Sequence, residues 1–115
     1  MNYEKLVIVD FDDTLCLHPD HDKSDIKNGT PNVRLINKLN DLHDKGYLIH
    51  IYTARGHLSA ANRQDADKKY RPIITEWLIR NGVKYDRLDF NKPYGIIYID
   101  DKAVRPFELH LLEGL

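Results

Sequence analysis

Short apolar runs alternate with amphipathic segments along the chain, and this alternation predicts strands connected by helices. Four consecutive apolar residues, Leu6 to Val9, are typical of a strand buried on both faces. Further strands are predicted at Tyr47 to Tyr52 and at Ile96 to Ile99, with a weaker one at Tyr85 to Phe90. The chain is therefore expected to be an α/β protein with a single doubly wound, Rossmann-like parallel sheet and helices on both faces.

Pro31 opens the first predicted helix, whose apolar stripe recurs at helical spacing from Val33 to Leu42. Thr30 or Asn32 is expected to cap its start, and Gly46 to end it.

The second predicted helix carries its apolar face from Ile73 to Val83 and ends at Asn81-Gly82. Pro72 is best placed in its first turn, because proline lacks the amide that a helix interior requires. Two polar stretches have no clear periodicity. Residues 16–32 are expected to form a long loop or small hairpin, and residues 57–69 have no predicted structure.

Composition narrows the class of protein. The 115 residues, 42% hydrophobic and 30% charged, suit one soluble domain spanning residues 1–115. A net charge of −1 gives no electrostatic footprint for a nucleic-acid partner, although it leaves room for a local basic patch. The single cysteine, Cys16, is expected to pack as a small apolar side chain in a reducing compartment. With no signal peptide or membrane-length apolar run in the sequence, a cytoplasmic protein is expected.

Carboxylates follow the first and last of the predicted strong strands. Asp10 and Asp12 come directly after Val9, and Asp100 with Asp101 follows Ile99. In an open parallel sheet, ligands bind at the carboxyl ends of the strands, so these side chains are expected to meet at one edge. Crowded carboxylates require a nearby cation, and Mg²⁺ with oxygen ligands satisfies that requirement.

Other polar groups are predicted at the same edge. The middle strand ends in Thr53-Ala54-Arg55, whose hydroxyl and guanidinium suit phosphate oxygens, and Lys92 lies in a turn before the last strand. Asp10 can then attack phosphorus, and Asp12 can protonate the leaving oxygen and later deprotonate water. Thr53 and Lys92 would donate to the non-bridging oxygens. The alternatives are a helix cap for Thr53 and a surface salt bridge for Arg55.

This constellation resembles the haloacid dehalogenase superfamily of phosphohydrolases. The first motif is Asp10-Phe11-Asp12-Asp13-Thr14, with Asp13 where glycine is familiar, and Thr53, Lys92 and Asp100-Asp101 supply the other three. The resemblance implies an Mg²⁺-dependent phosphatase with Asp10 as nucleophile, Asp12 as acid and base, and Asp100 as a metal ligand. Asp101 would bind the metal through water or orient Lys92.

A narrower resemblance, to small phosphatases of capsule polysaccharide biosynthesis, rests on Thr53-Ala54-Arg55-Gly56, Asn91-Lys92-Pro93 and Asp100-Asp101-Lys102-Ala103. It implies a phosphorylated sugar or related metabolite as substrate. The intervals between the motifs are too short for the cap domain of larger members. A capless enzyme is therefore expected, with a homo-oligomer as one way to cover the open site.

Three other functions share some of these features. A nucleic-acid 3′-phosphatase of the polynucleotide kinase phosphatase type has the same motifs, but the balanced charge disfavours it. A receiver-type signalling module would place its phosphorylated Asp after the middle strand, where this chain has Thr53. A binding protein without activity would not need the full set of acidic, hydroxyl and lysine groups.

Overall fold

The described part of the chain, residues 3–19, 23–56 and 62–115 of a computed structural model, is an α/β fold built on a three-stranded parallel sheet. In chain order the strands and helices are β1 (Leu6–Val9), β2 (Cys16–Leu17), β3 (Thr30–Pro31), α1 (Val33–Asp44), β4 (Leu48–Tyr52), α2 (Arg63–Arg80) and β5 (Arg87–Asp89). Short 3₁₀ turns lie at Tyr3–Lys5 and Leu109–Leu112. The predicted α/β class with a parallel sheet is confirmed.

The sheet has the order β1-β4-β5, with β4 in the centre. Val9 lies opposite Ile51, and Tyr52 lies opposite Asp89. Both crossovers step in the same direction along the sheet, and right-handed crossovers of that kind place α1 and α2 on the same face. The prediction of helices on both faces is therefore not confirmed.

Burial along the strands fits a sheet that is covered mainly on one side. In β4, Ile49 and Ile51 are fully buried, whereas the alternate side chains are only half-buried. In β1, Val9 is buried but Ile8 is 59% exposed. Because alternate side chains of a strand point to opposite faces, the predicted burial of β1 on both faces is wrong.

Side-chain and backbone signals set the limits of α1, but Pro31 pairs in β3 and lies outside the helix, so its predicted place at the start of α1 is wrong. Asn32, not Thr30, caps the helix, and its side chain accepts a hydrogen bond from the Leu35 amide at 3.3 Å. Gly46 follows the C-cap with a φ of 96°, a left-handed conformation that glycine adopts without strain. The predicted end of α2 is also confirmed, with Asn81 as C-cap and Gly82 at a φ of 67°.

The helix α2 begins earlier than its apolar pattern predicts. Asn62 caps the start by accepting from the Asp65 amide at 3.0 Å, so Pro72 lies in the helix interior and its predicted place in the first turn is wrong. The added turns are largely polar, and they gain an ion pair in which Arg71 donates to Asp67 at 2.6 and 2.8 Å. Residues 57–61 of the stretch without predicted structure lie outside the described residues.

The prediction of a buried strand at Ile96 to Ile99 is wrong. This segment forms no strand, and both Ile96 and Ile99 are almost fully exposed. An apolar segment forms a strand only when its backbone hydrogen-bonds to a neighbouring strand. The chain leaves the sheet after β5, so residues 96–99 have no such neighbour. Within the described residues, β1 consequently pairs with β4 alone and its outer edge has no neighbouring strand.

The segment predicted as a loop or small hairpin contains the antiparallel pair β2–β3, with Cys16 opposite Pro31. Its residues 20–22 lie outside the described part. The hairpin is fixed to the core at Gly29, whose carbonyl accepts a hydrogen bond from Trp77 Nε1 at 3.1 Å. Cys16 is fully buried, as expected for a packing role, and burial raises the pKa of its thiol to about 12. None of the described helices has the length and apolar character needed to cross a membrane.

We expect Gly29→Ala to destabilise the fold, because the added Cβ would lie 2.1 Å from Cys16 Sγ and 3.2 Å from the Ile26 carbonyl oxygen. Overpacking of this kind typically lowers the free energy of unfolding by about 1–3 kcal/mol. Urea unfolding measures the change. Gly95→Ala is the matched control, since its new Cβ would meet only the Ile97 carbonyl oxygen at 3.8 Å. Equal stability of the two variants would contradict this account of the hairpin.

Candidate active site

The ends of all three parallel strands meet at one edge of the sheet, as their alignment requires. Asp10 directly follows β1 and Thr53 directly follows β4. The backbone amide of Thr53 donates to the Asp89 carbonyl at 3.0 Å, and the amide of Lys92 donates to the Thr53 carbonyl at 3.3 Å. These bonds bring the segment after β5 next to the end of β4.

Asp10 is paired with Lys92 at this edge. Lys92 Nζ lies 2.9 Å from Asp10 Oδ2, and the Phe11 amide donates to Asp10 Oδ1 at 2.7 Å. Burial raises the pKa of Asp10 above its ordinary value, although the hydrogen bond and charge of Lys92 oppose the rise. A carboxylate that is partly desolvated yet paired with a lysine suits a nucleophile, because poor solvation keeps its oxygens reactive.

Asp12 is held by two side chains from different segments. Arg55 forms a two-point contact in which Nε donates to Oδ2 at 3.1 Å and Nη2 donates to Oδ1. His18 Nε2 lies 2.8 Å from the same Oδ1. The planar guanidinium thus faces the carboxylate as a fork, which is the geometry it also offers to phosphate.

Thr53 and Arg55 form one local turn at the end of β4. The Thr53 side chain is fully buried, and its Oγ1 accepts a hydrogen bond from the Arg55 amide at 2.9 Å. Gly56 follows with a φ of 86°, and a Cβ at this position would lie 2.6 Å from that of Ala66. The turn therefore packs closely against α2, which fixes the orientation of the Thr53 hydroxyl and the Arg55 guanidinium.

These groups surround a pocket of about 330 Å³. The residues that line it are Asp10, Asp12, Lys23, Thr53, Ala54, Arg55, Gly56, Tyr70, Lys92, Tyr94, Gly95 and Tyr98. All four predicted catalytic residues and all four predicted substrate-binding residues are among them. Polar groups from separate segments of the sequence thus converge on one cavity at the carboxyl ends of the strands, as predicted.

The turn that presents the first two carboxylates has a special backbone conformation. Asp13 has a φ of 56°, in the left-handed region that glycine occupies freely and aspartate tolerates. This conformation explains why the first motif of the resembled superfamily usually has glycine here, and why Asp13 can take its place. The Asp13 carboxylate accepts from the His18 amide at 3.1 Å and lies 3.1 Å from Lys23 Nζ.

Asp100 and Asp101 do not line the pocket. Both are exposed, and Asp100 Oδ1 accepts a hydrogen bond from the Lys102 amide at 2.7 Å. No three ligating side chains converge anywhere in residues 3–19, 23–56 and 62–115 in a way that could hold a metal ion. The described conformation therefore does not fit Mg²⁺ held by Asp10, Asp12, Asp100 and Asp101, since only the first two are together and both are paired with cations.

Several residues of the site do not follow from the motifs. Lys23 and three tyrosines, Tyr70, Tyr94 and Tyr98, line the pocket, and Lys92 Nζ lies 4.4 Å from the centroid of the Tyr98 ring. His18 lies in the stretch that was expected to form a long loop or small hairpin, and its side chain is only 1% exposed and contacts Asp12. A lone histidine in a polar, aperiodic segment carries no sequence signal for this contact, because the hairpin that buries it depends on tertiary packing.

Comparison with known proteins gives one informative match. The crystal structure of an MCSG target from Vibrio cholerae is 40% identical in sequence, with a TM-score of 0.78. The match covers 89% of this chain and 84% of the other. No protein-family model and no curated protein matches the chain.

We expect Lys92→Met to raise the pKa of Asp10 further. The substitution removes the hydrogen bond and the positive charge that now oppose the effect of burial, so the carboxyl should stay protonated to a higher pH. Carbon-detected NMR titration of the Asp10 carboxyl measures the shift. Lys84→Met, which removes an exposed contact with Asp44, is the control and should leave the titration of Asp10 unchanged. An identical titration in both variants would show that Lys92 does not control Asp10.

Proposed function

Since this chain belongs to the same protein family as the Vibrio cholerae target, which carries no functional name, we propose its activity from its own pocket. We propose that the protein is a phosphomonoester hydrolase that works through an aspartyl-phosphate on Asp10. One observation carries the proposal: Asp10, Asp12, Thr53, Arg55 and Lys92, from three separate segments, surround a single cavity at the strand ends.

The charges of the pocket support binding of a phosphate group. Lys92 and Arg55 are each paired with a carboxylate when no substrate is present, at Asp10 and Asp12 respectively. An incoming phosphoryl group offers three further oxygens to these cations, so it can exchange for the carboxylates as their partner. This exchange would release the oxygens of Asp10 for attack and bring phosphorus next to them.

The proposed reaction then has two steps. Asp10 forms a bond to phosphorus while the bond to the ester oxygen breaks, and Asp12 gives its proton to that oxygen. Asp12 next takes a proton from water, the water oxygen bonds to phosphorus, and the bond to Asp10 breaks. Lys92, Arg55 and the Thr53 hydroxyl donate to the non-bridging oxygens throughout.

The proposal extends to the family and the substrate class. The order of the motifs supports a capless haloacid dehalogenase-like core, and we propose a phosphorylated sugar or related metabolite as substrate. Tyr70, Tyr94 and Tyr98 around the cavity support this choice, because tyrosine rings pack against the C–H faces of sugars. A cytoplasmic location and a homo-oligomer remain predictions from the sequence.

Magnesium dependence rests on the resemblance, and the described geometry does not supply the site. A bound Mg²⁺ would neutralise the phosphate and the carboxylates near it. Asp10 and Asp12 are the ligands already in the pocket, whereas Asp100 would join them only in another conformation of the segment that follows Lys92. No step of the proposed reaction is therefore derived through the metal.

We expect Asp10→Asn to lower the turnover of 4-nitrophenyl phosphate by at least ~10³-fold, because an amide cannot replace the nucleophilic carboxylate. Release of 4-nitrophenol measures the rate, and thermal unfolding checks the fold. Asp13→Asn is the matched control, since Asp13 neighbours the site but does not line the pocket. Its asparagine keeps the oxygen that accepts from the His18 amide. Retained turnover in Asp10→Asn would remove Asp10 from the nucleophile role.

We expect chelation to stop the reaction and added Mg²⁺ to restore it. The test is dialysis against EDTA followed by titration with MgCl₂ in the same assay. Asp100→Asn should then raise the Mg²⁺ concentration needed for half-maximal rate, because it removes one predicted ligand. Undiminished turnover after chelation would contradict metal dependence and would leave the reaction to the side chains described above.

A further inference from the structure

We propose that His18 is a positioning residue that holds Asp12 in the orientation needed for proton transfer to and from the reacting oxygens. The inference rests on the proposed function, because it assigns a role beside the acid and base of that reaction. It goes beyond the sequence motifs, in which His18 has no place.

The contacts of His18 fix it on two sides. Its Nε2 lies 2.8 Å from Asp12 Oδ1, and its own amide donates to Asp13 Oδ1 at 3.1 Å. The side chain is 1% exposed, and it directly follows β2, whose Cys16 is fully buried in the core. When Asp12 is ionised its oxygens only accept hydrogen bonds, so the proposed role requires the tautomer in which Nε2 carries the hydrogen and donates it to Asp12.

Arg55 contacts the same carboxylate but differs from His18 in its position. Arg55 lines the pocket, whereas His18 is not among the described residues that do so. A phosphate group in the cavity can therefore compete for the guanidinium of Arg55 but cannot reach the imidazole. His18 is consequently the partner that Asp12 keeps when Arg55 turns to the substrate.

The two partners also divide the oxygens of Asp12. His18 donates to Oδ1, while Oδ2 receives only the Nε of Arg55 among the contacts described. When Arg55 binds phosphate, Oδ2 becomes free to carry the proton, and Oδ1 stays fixed by His18. The carboxyl group is then prevented from rotating, so its proton is presented to the leaving oxygen in one direction.

The test compares leaving groups, because only a basic leaving oxygen needs the proton of Asp12. Turnover is measured for 4-nitrophenyl phosphate, which has a weakly basic leaving group, and for phenyl phosphate, which has a more basic one. We expect His18→Leu to lower kcat for phenyl phosphate by ~10–100-fold and for 4-nitrophenyl phosphate by less than ~3-fold. The larger loss stays below the ~10²–10⁴-fold that acid–base catalysis typically contributes, because Asp12 itself remains in the variant. KM should change little for either substrate, since His18 does not touch the pocket.

A conservative variant separates positioning from folding. His18→Gln is expected to recover most of the rate with phenyl phosphate, because its amide N–H can reach Asp12, whereas the shorter side chain of His18→Asn cannot. Both variants place a polar amide at the same buried position, so they can be compared with each other even if His18→Leu does not fold. His43→Leu, which removes a histidine 3.4 Å from Asp86 outside the pocket, is the control and should not alter the ratio of the two rates.

Equal losses with both phosphate esters would overturn the inference, since a structural role lowers both rates alike. Equal activity of His18→Gln and His18→Asn would overturn it as well. If the wild-type protein hydrolyses neither ester, with or without Mg²⁺, the proposed function itself fails, and the positioning role fails with it. A wild-type enzyme that is active and insensitive to substitution at position 18 would refute the positioning role alone.

Discussion

Two carboxylates that lose water at the end of one strand require positive charge beside them, and the arrangement of the site depends on this requirement. An unpaired buried charge costs several kcal/mol by common estimates. Asp10 and Asp12 therefore determine where Lys92 and Arg55 come to lie. The two cations follow β5 and β4, so the pairs join the end of β1 to the end of its neighbour β4 and to the end of β5, the strand beyond it.

The parallel alignment of the three strands explains why so many functional groups lie at this edge of the sheet. β1, β4 and β5 are parallel and adjacent, so the chain emerges from all three at the same level. The core beneath them is closed by Trp77, which packs edge-to-face against Phe11 at 5.3 Å between ring centroids. Since Phe11 lies between the two carboxylates in sequence, its burial turns Asp10 and Asp12 towards the cavity.

Local signals account for the parts of the fold that the sequence predicts well. Leu6 to Val9, the cap at Asn32 and the stops at Gly46 and Gly82 each depend on neighbours a few residues away. The motif residues around the cavity were predictable because each directly follows a strand or lies in a turn. Asp100, a predicted magnesium ligand, does not lie beside Asp10 and Asp12, because the strand predicted at Ile96 to Ile99 does not form.

Other features depend on distant contacts that a single sequence does not reveal. Pro72 in the interior of α2 and the partly exposed second face of the sheet result from how the elements pack, and neither has a local signature. His18 illustrates the same limit, since its burial follows from the docking of the β2–β3 hairpin. Its partner Asp12 is six positions away in sequence, on the other side of a tight turn.

The left-handed backbone at Asp13 has a consequence for the entrance of the site. Glycine would relieve the local strain, which for most other residues is about 1–2 kcal/mol. It would also release the His18 amide and Lys23 Nζ, the two groups that the Asp13 carboxylate contacts. The strained φ of Asp13 therefore accompanies two contacts that connect the turn carrying Asp10 to Lys23 at the edge of the cavity. The mobility of the turn and the mobility of the cavity edge should consequently be coupled.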